Sequence, residues 1–226
     1  MTTHSSAPPG RLSAVKKGAM ALAAGALLGL GSGAANAVET TFIGYTNGCF
    51  GLACMPAAVS GPQSVTLAPG LTYNNSTFNA MTSGGFLSLG SNGGMTPAGN
   101  FNNLGSFSLG SSLGSYVGQA FDLLVTFTAP FGTTPGSQLF TSVITGSVLA
   151  NNAGGVFLNF ENSAKHFTFA NGGSFDFFVN DVSVNPGGTI GFSGTIIAAA
   201  VPEPETYALF MAGLAALGFM ARRRKV

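Results

Sequence analysis

Two cysteines are the most reactive side chains of this 226-residue chain, and four residues separate them. Cys49 and Cys54 enclose Phe-Gly-Leu-Ala, and the chain has no other cysteine. In an exported chain, which the two ends described below indicate, this spacing predicts a disulfide that closes a small loop. A metal site would need two further strong ligands, and a catalytic cysteine would need a histidine base, which the local sequence lacks. We therefore expect a structural disulfide and no metal.

Histidine and carboxylate side chains, the usual acids and bases of hydrolases, are scarce between residues 38 and 201. His166 is the one histidine of this segment, and we predict it to lie on the polar face of a strand. The numbers of Ser, His and Asp residues permit a Ser-His-Asp triad. No sequence pattern indicates a pair of carboxylates that could act as in a glycosidase. We predict no enzymatic activity and no cofactor, and a cryptic hydrolase is the weakest alternative. The acids of the segment are Glu39, Asp122, Glu161, Asp176 and Asp181.

Two further groups of polar residues suit binding or modification. Asp176 and Asp181, with Asn180 and loop carbonyls, have the oxygen ligands that Ca²⁺ prefers. The alternative is that they are solvated turn residues, and we predict no metal there. The stretch Asn74-Asn75-Ser76-Thr77 matches the N-glycosylation pattern twice, and we interpret it as a polar turn.

Alternation of apolar and polar residues is the main secondary-structure signal between residues 38 and 201, where no helical periodicity appears. Clusters of Gly, Asn and Pro separate the alternating runs, as in hairpin turns. The pattern predicts an all-β fold, an antiparallel β-sandwich or jelly-roll, with Phe side chains in the core. The period slips by one residue at Asn180-Asp181, which predicts a bulge or turn. Predicted strands cover 123–127, 139–145, 156–160, 167–169, 175–179, 182–184 and 190–196, with shorter ones at 71–73, 86–89 and 107–109.

The charge of the chain is low and unevenly placed. Only 7% of residues are charged, against about 25% in an ordinary soluble domain. The net charge is +1, but Lys165 is the one cation between residues 38 and 201. A nucleic-acid-binding surface is excluded for this segment, because phosphates would have almost no basic side chains to contact.

Residues 1–37 have the three parts of a secretory signal peptide. A basic region precedes an uncharged apolar stretch at 18–30, and small residues follow it. As a helix the apolar stretch rises about 20 Å, which is short of the ~30 Å hydrocarbon core of a membrane. Ala35-Asn36-Ala37 matches the A-x-A pattern, so we predict that signal peptidase cleaves between Ala37 and Val38. The cations of the basic region are Arg11, Lys16 and Lys17.

The C-terminal 25 residues also divide into three parts. Pro202 and Pro204 bracket Glu203 and predict an extended, exposed stretch. Residues 207–221 are apolar and uncharged, and they predict a transmembrane helix that rises about 22 Å. The cations after it would hold the terminus in the cytoplasm and leave residues 38–201 outside. These cations are Arg222, Arg223, Arg224 and Lys225.

This C-terminus closely resembles the PEP-CTERM sorting signal of bacterial surface proteins, and the resemblance covers residues 202–226. It implies processing by an exosortase, a membrane-embedded cysteine protease that acts like a transpeptidase, with Pro202, Glu203 and Pro204 as the recognised residues. It also implies a bacterium with an outer membrane and an exopolysaccharide export system. The domain organisation we predict is a signal peptide (1–37), a secreted β-rich domain (38–201) and a sorting signal (202–226).

The functional expectation combines these signals. We expect an exported surface or matrix protein, structural or adhesive, that is held in the inner membrane until the exosortase processes it and that associates with exopolysaccharide. The alternative is a carbohydrate-binding module with one sugar site. Such a site would use an aromatic platform, and the candidates for it are Tyr45, Tyr73 and Tyr116, although the chain lacks Trp.

Overall fold

The computed structural model of the protein describes residues 39–90, 102–199 and 204–223. The predicted signal peptide with its cleavage residues Ala35, Ala37 and Val38 lies outside the described residues, as do Pro202, Glu203, Arg224 and Lys225. Fifteen strands lie in the described part of 39–199, and every pair among them is antiparallel. The all-β prediction is therefore confirmed. The sandwich or jelly-roll arrangement stays a prediction.

The strands are bounded as follows: β1 (Thr41–Phe50), β2 (Ser64–Leu67), β3 (Leu71–Asn74), β4 (Thr77–Met81), β5 (Phe86–Leu89), β6 (Ser106–Leu109), β7 (Gly114–Ser115), β8 (Gln119–Ala129), β9 (Ser137–Val148), β10 (Gly154–Phe160), β11 (Lys165–Phe169), β12 (Gly173–Val179), β13 (Val182–Val184), β14 (Thr189–Gly191) and β15 (Gly194–Ala198). Short 3₁₀ turns at Ala150–Asn152 and Ala170–Gly172 connect β9 to β10 and β11 to β12. The C-terminal helix α1 covers Pro204–Arg223.

The strands form three sheets. A seven-stranded sheet has the order β13-β10-β9-β8-β1-β4, with β7 also paired to β9. One four-stranded sheet has the order β11-β12-β15-β5, and the other has the order β14-β6-β3-β2. The two longest strands, β8 and β9, are neighbours in the middle of the seven-stranded sheet.

One face of the seven-stranded sheet packs on both four-stranded sheets through aromatic rings. Phe127 of β8 lies 5.0 Å, centroid to centroid, from Phe175 of β12 in one four-stranded sheet. Phe121 of the same strand lies 4.9 Å from Tyr73 of β3 in the other. Phe192 stacks on Phe160 at 5.7 Å between the layers. The predicted Phe-rich core is therefore present and is shared by all three sheets.

Strand β1 reaches this core through glycines as well as large side chains. A Cβ at Gly48 would collide with the rings of Phe121 and Tyr73, and a Cβ at Gly44 would collide with the Phe78 ring and the Thr126 carbonyl. Rings from neighbouring strands thus fill the space on the core face beside both glycines. Phe42 occupies the same face directly, with its ring 4.7 Å from that of Phe175.

Two predicted strand features take a different form in the structure. The slip at Asn180-Asp181 marks the passage of the chain from β12, in one sheet, to β13, in another. The single strand predicted at 190–196 is wrong, because the chain makes two strands there, β14 and β15, in different sheets. The side chain of Phe192 is buried in the core between them, so the backbone passes from one sheet to the other at that residue.

Helix α1 includes the predicted helix at 207–221 and begins three residues earlier, at Pro204. The prediction of an extended stretch before Tyr207 is thus wrong for Pro204–Thr206. Proline is favoured in the first turn of a helix, because an N–H at that position would have no intrahelical partner.

The transmembrane prediction needs correction as well. In the three described segments, none of the helices combines the length and the apolarity that crossing a membrane requires. The ends of α1 are polar, and its uncharged apolar part is only 15 residues, about 22 Å long.

Candidate functional site

The C-terminal helix presents apolar side chains to solvent. Leu209, Phe210 and Met211 each keep more than half of their surface exposed, and so do Leu217 and Phe219. Arg222 follows them at the basic end and is exposed too. The uncharged apolar part of α1 is thus exposed and is followed by cations, a composition typical of segments that associate with a membrane surface.

The disulfide predicted from the cysteine spacing is present between Cys49 and Cys54. Cys49 is the penultimate residue of β1, and Cys54 lies in the loop that follows. The chain turns back between them at Gly51 and Ala53, which both have positive φ. Both cysteines are half-buried.

Asp122 lies beside this disulfide, which the sequence did not indicate. Asp122 is paired with Cys49 across β1 and β8, and its Oδ2 is 3.5 Å from Cys54 Sγ. Its residue surface is only 4% exposed. The other carboxyl oxygen, Oδ1, has no hydrogen-bond partner within the described residues. A nearly buried carboxyl group thus lies against a disulfide sulfur.

Two asparagines hold the loop that follows the disulfide. Asn47 of β1 donates from Nδ2 to the Val59 carbonyl at 3.1 Å. Asn75 donates from Nδ2 to the Gly61 carbonyl at 2.7 Å, and its Oδ1 accepts from Gln63 N, also at 2.7 Å. Both asparagines are buried. Asn75 of the glycosylation pattern is therefore a structural residue in the folded protein.

His166 and Asp176 form the one ion pair in the described residues that involves histidine. They are opposite each other on β11 and β12, with His166 Nδ1 2.8 Å from Asp176 Oδ1, and both side chains are about half exposed. A hydrolase triad would place a serine hydroxyl at Nε2, but Nε2 has no hydrogen-bond partner in the described part of the chain. The sequence Gly110–Gly114 matches the Gly-x-Ser-x-Gly pattern of a nucleophile elbow. It connects two strands, not a strand to a helix, so it is not a nucleophile elbow.

The residues that suit Ca²⁺ do not converge. Asp176 pairs with His166, while Asp181 Oδ1 accepts a hydrogen bond from the Phe160 N–H at 2.8 Å. Asn180 donates from Nδ2 to Ser193 Oγ at 2.9 Å. Each of the three residues thus has a different partner, on a different element. Over 39–90, 102–199 and 204–223, no three His, Cys, Asp or Glu side chains gather in a way that would hold a metal ion.

Two of the three tyrosines considered for a sugar platform are buried. Tyr73 and Tyr116 have at most 1% of their surface exposed, and Tyr45 is half-buried. The Tyr73 hydroxyl lies 2.8 Å from Thr46 Oγ1 and 2.9 Å from the Leu104 carbonyl. Burial raises the pKa of this phenol well above its usual value, and the Thr46 hydrogen bond opposes that shift only in part. The expectation of an exposed platform is wrong for both buried rings, because they face the core.

Comparison with known families identifies only the C-terminal part of the chain. Residues 200–225 match the PEP-CTERM protein-sorting motif. The resemblance seen in the sequence is therefore confirmed, and it is limited to this segment. No curated protein and no solved structure matches the chain.

The PEP-CTERM motif includes α1, and it indicates an exported surface protein that an exosortase processes. Pro204, the last residue of the Pro-Glu-Pro sequence, is the first residue of the helix. The Pro-Glu-Pro sequence therefore ends at the first residue of α1, with two residues between it and the apolar segment at 207–221. This motif could be read from the sequence because its parts are contiguous, whereas Asp122 and Cys54 are 68 residues apart and meet only in the fold.

Proposed function

We propose that this protein is a non-enzymatic component of the bacterial surface or extracellular matrix, structural or adhesive, which an exosortase processes after export. The observation that carries the proposal is the PEP-CTERM motif at residues 200–225. In the proposal, signal peptidase removes residues 1–37, helix α1 keeps the exported chain at the inner membrane, and the exosortase recognises Pro202, Glu203 and Pro204. The exposed apolar side chains of α1 and its basic end support the membrane step.

The composition of the β-rich domain supports association with exopolysaccharide. The described part of 39–199 has one lysine, Lys165, and it is paired with Glu161 at 3.1 Å. Its surface therefore has little charge with which to attract nucleic acid or repel a polysaccharide. Exposed hydroxyl and amide groups, such as those of Ser163 and Asn162, suit hydrogen bonds to sugar hydroxyls. We propose that the three sheets form a β-sandwich, supported by the rings of β8 that contact both four-stranded sheets.

The sorting step is tested with variants of the motif in a host that has the exosortase. Glu203→Ala removes the central residue of Pro-Glu-Pro, and Glu205→Ala removes the same charge two residues later. Immunoblots of envelope and medium are expected to show a shortened protein for wild type and for Glu205→Ala. Glu203→Ala is expected to keep its tail. Equal processing of both variants would refute recognition of the Pro-Glu-Pro sequence.

The adhesive role is tested with exopolysaccharide purified from the host. The exported protein is expected to sediment with the polymer, and the bound fraction is expected to change little between 50 and 500 mM salt, because few charges are present. The matched control is the same protein after thermal unfolding. Absence of cosedimentation, with correct export and processing, would refute the adhesive role and leave the sorting role standing.

A further inference from the structure

One end of the seven-stranded sheet carries exposed apolar side chains on its outer face, the face that points away from the Phe core. Along β9, Thr141, Val143 and Thr145 are exposed, while the residues between them are buried. The members of this apolar patch keep between 40% and 84% of their surface exposed. They are Leu52, Met55, Leu113, Val117, Val143, Leu149 and Phe157.

The register of the strands brings Val143 and Phe157 together. Val143 of β9 is opposite Ala120 of β8 on one side. On the other side, Phe157 of β10 is opposite Thr145, two residues along β9 from Val143. Val143 and Phe157 are therefore diagonal neighbours on adjacent strands, a separation that an aromatic side chain can span.

Three members of the apolar patch lie where β7 pairs with β9. Gly114 is opposite Val148, so Leu113 and Leu149 occupy the positions that adjoin this pair. Both leucines are more than half exposed, whereas Val148 is buried. Val117 lies in the turn that leads from β7 into β8. The apolar surface therefore continues along β9 from its middle to its end.

The other two members are on the loop after β1, where the disulfide lies. Leu52 follows Gly51, whose N–H donates to a carbonyl of β8 at 3.0 Å. Met55 follows Cys54, whose Sγ lies 3.5 Å from Oδ2 of Asp122 on the outer face of β8. These two exposed side chains therefore extend the apolar surface across β8.

The apolar patch has no charged side chain. Strands β7, β9 and β10 and the loop at 51–63 have no Asp, Glu, Lys, Arg or His. At the border, Asp122 is nearly buried, and Glu161 is paired with Lys165 at 3.1 Å. Nucleic acid and anionic lipid are poor partners for such a face, because proteins bind both through cations. A second copy suits it, because two uncharged faces meet without like-charge repulsion and homodimer interfaces are the more apolar ones.

The exposed area of the apolar patch is close to what a dimer interface needs. Together its members expose the equivalent of about four and a half complete side chains. At ~150 Å² for each, the low end of the aromatic range, this is roughly 700 Å². The largest apolar patch of an ordinary monomer covers about 300–600 Å². Each partner of a standard interface contributes about 800 Å², which the patch reaches with polar neighbours such as Thr145 and Ser147.

We propose that two copies of this protein associate through the apolar patch. In the dimer, the outer faces of the two seven-stranded sheets meet about a two-fold axis, so that the patch of each copy covers the patch of the other. Removal of the apolar side chains from water drives the association. The proposal rests neither on the sorting motif nor on polysaccharide binding.

Photo-cross-linking of the full chain in the host envelope tests this contact. The photo-reactive residue p-benzoylphenylalanine replaces Phe157 in the apolar patch. As the matched control it replaces Phe131, which is more exposed and lies in the turn after β8. After irradiation, reducing immunoblots measure the fraction of chain in a product with the mass of a dimer. Mass spectrometry of that product shows which peptides are joined.

The product from the Phe157 position is expected to join two copies of this chain, and the Phe131 position is expected to give little or none. Val143→Lys adds a charge that the dimer would bury in both copies, so it is expected to decrease the product on the order of tenfold or more. Ile197→Lys is the matched control and should leave the product unchanged. Ile197 is also β-branched and about half exposed, but it lies on β15 in another sheet.

Absence of a dimer product from the Phe157 position, or a product that joins the chain only to another molecule, would overturn the proposal. Equal amounts of product from the Phe131 position would overturn it as well. So would an equal effect of Val143→Lys and Ile197→Lys. Val143 is more than half exposed in a single copy, so the lysine is expected to leave folding unchanged. If Val143→Lys does not reach the envelope, the comparison of Phe157 with Phe131 decides alone.

Discussion

Removing the Phe127 side chain should strongly destabilise the β-rich domain. Its ring lies 5.0 Å from those of Phe167 and Phe175 and 5.6 Å from that of Phe177, all in one four-stranded sheet. On its own sheet it lies 5.5 Å from Phe78. Only 5% of its surface is exposed. Phe127→Ala therefore removes contacts within and between layers at a position where the surrounding strands restrict collapse of the cavity.

The expected loss in free energy of unfolding is about 4 kcal/mol, the middle of the range for a buried Phe changed to Ala. This corresponds to a rise of about 1,000-fold in the unfolding equilibrium constant at 25 °C. Phe131→Ala is the matched control, because Phe131 is 87% exposed and the change should stay within about 0.5 kcal/mol. Urea unfolding followed by near-ultraviolet circular dichroism measures both. A loss below about 1 kcal/mol for Phe127→Ala would refute a core shared by the sheets.

Three further predictions concern stability, all measured by urea unfolding. Tyr73→Phe should cost about 1 kcal/mol, since the hydroxyl loses its bonds in the core. The raised pKa of Tyr73 makes wild type lose stability above about pH 10, where the unfolded phenol ionises and the folded one stays protonated. Above this pH the Tyr73→Phe variant should lose less stability than wild type. An equally steep decline in both proteins would show that ionisation of Tyr73 is not the cause. Changing both Cys49 and Cys54 to Ser should lower the free energy of unfolding by about 2 kcal/mol, because the disulfide closes only a short loop. A loss near 5 kcal/mol would show that the disulfide does more than constrain the unfolded chain. Gly44→Ala should lower the free energy of unfolding by about 1–3 kcal/mol, because the added Cβ meets the Phe78 ring and a carbonyl. Gly61→Ala is the control and should be almost neutral, because no atom lies near its added Cβ. Equal effects of the two changes would show that the space at Gly44 is not filled.

The long strands of the second half were predictable because their alternation is regular. Residues 123–127 and 139–145 alternate clearly and lie within β8 and β9. Strand β1 was not predicted, although it is ten residues long. Gly44 and Gly48 lie on the core face of β1, and rings from other strands fill the space beside them. Apolar side chains at these two positions would have made the alternation of a strand visible in the sequence.

The pairing of residues far apart in the chain was not predictable. The sequence shows that Asp122 and Cys54 exist, but their contact depends on the register of β8 against β1. The burial of Tyr73 likewise depends on which face of β3 meets the core. Local spacing did predict the disulfide and the sorting motif, because both consist of residues close together in the chain.

Export and processing can be checked together by mass spectrometry of the intact protein, recovered from the envelope and the medium of a host with its exosortase. The expected species begins at Val38 and lacks Tyr207 and all residues after it. Recovery of the protein only with its complete tail, through Val226, would show that the exosortase does not process it.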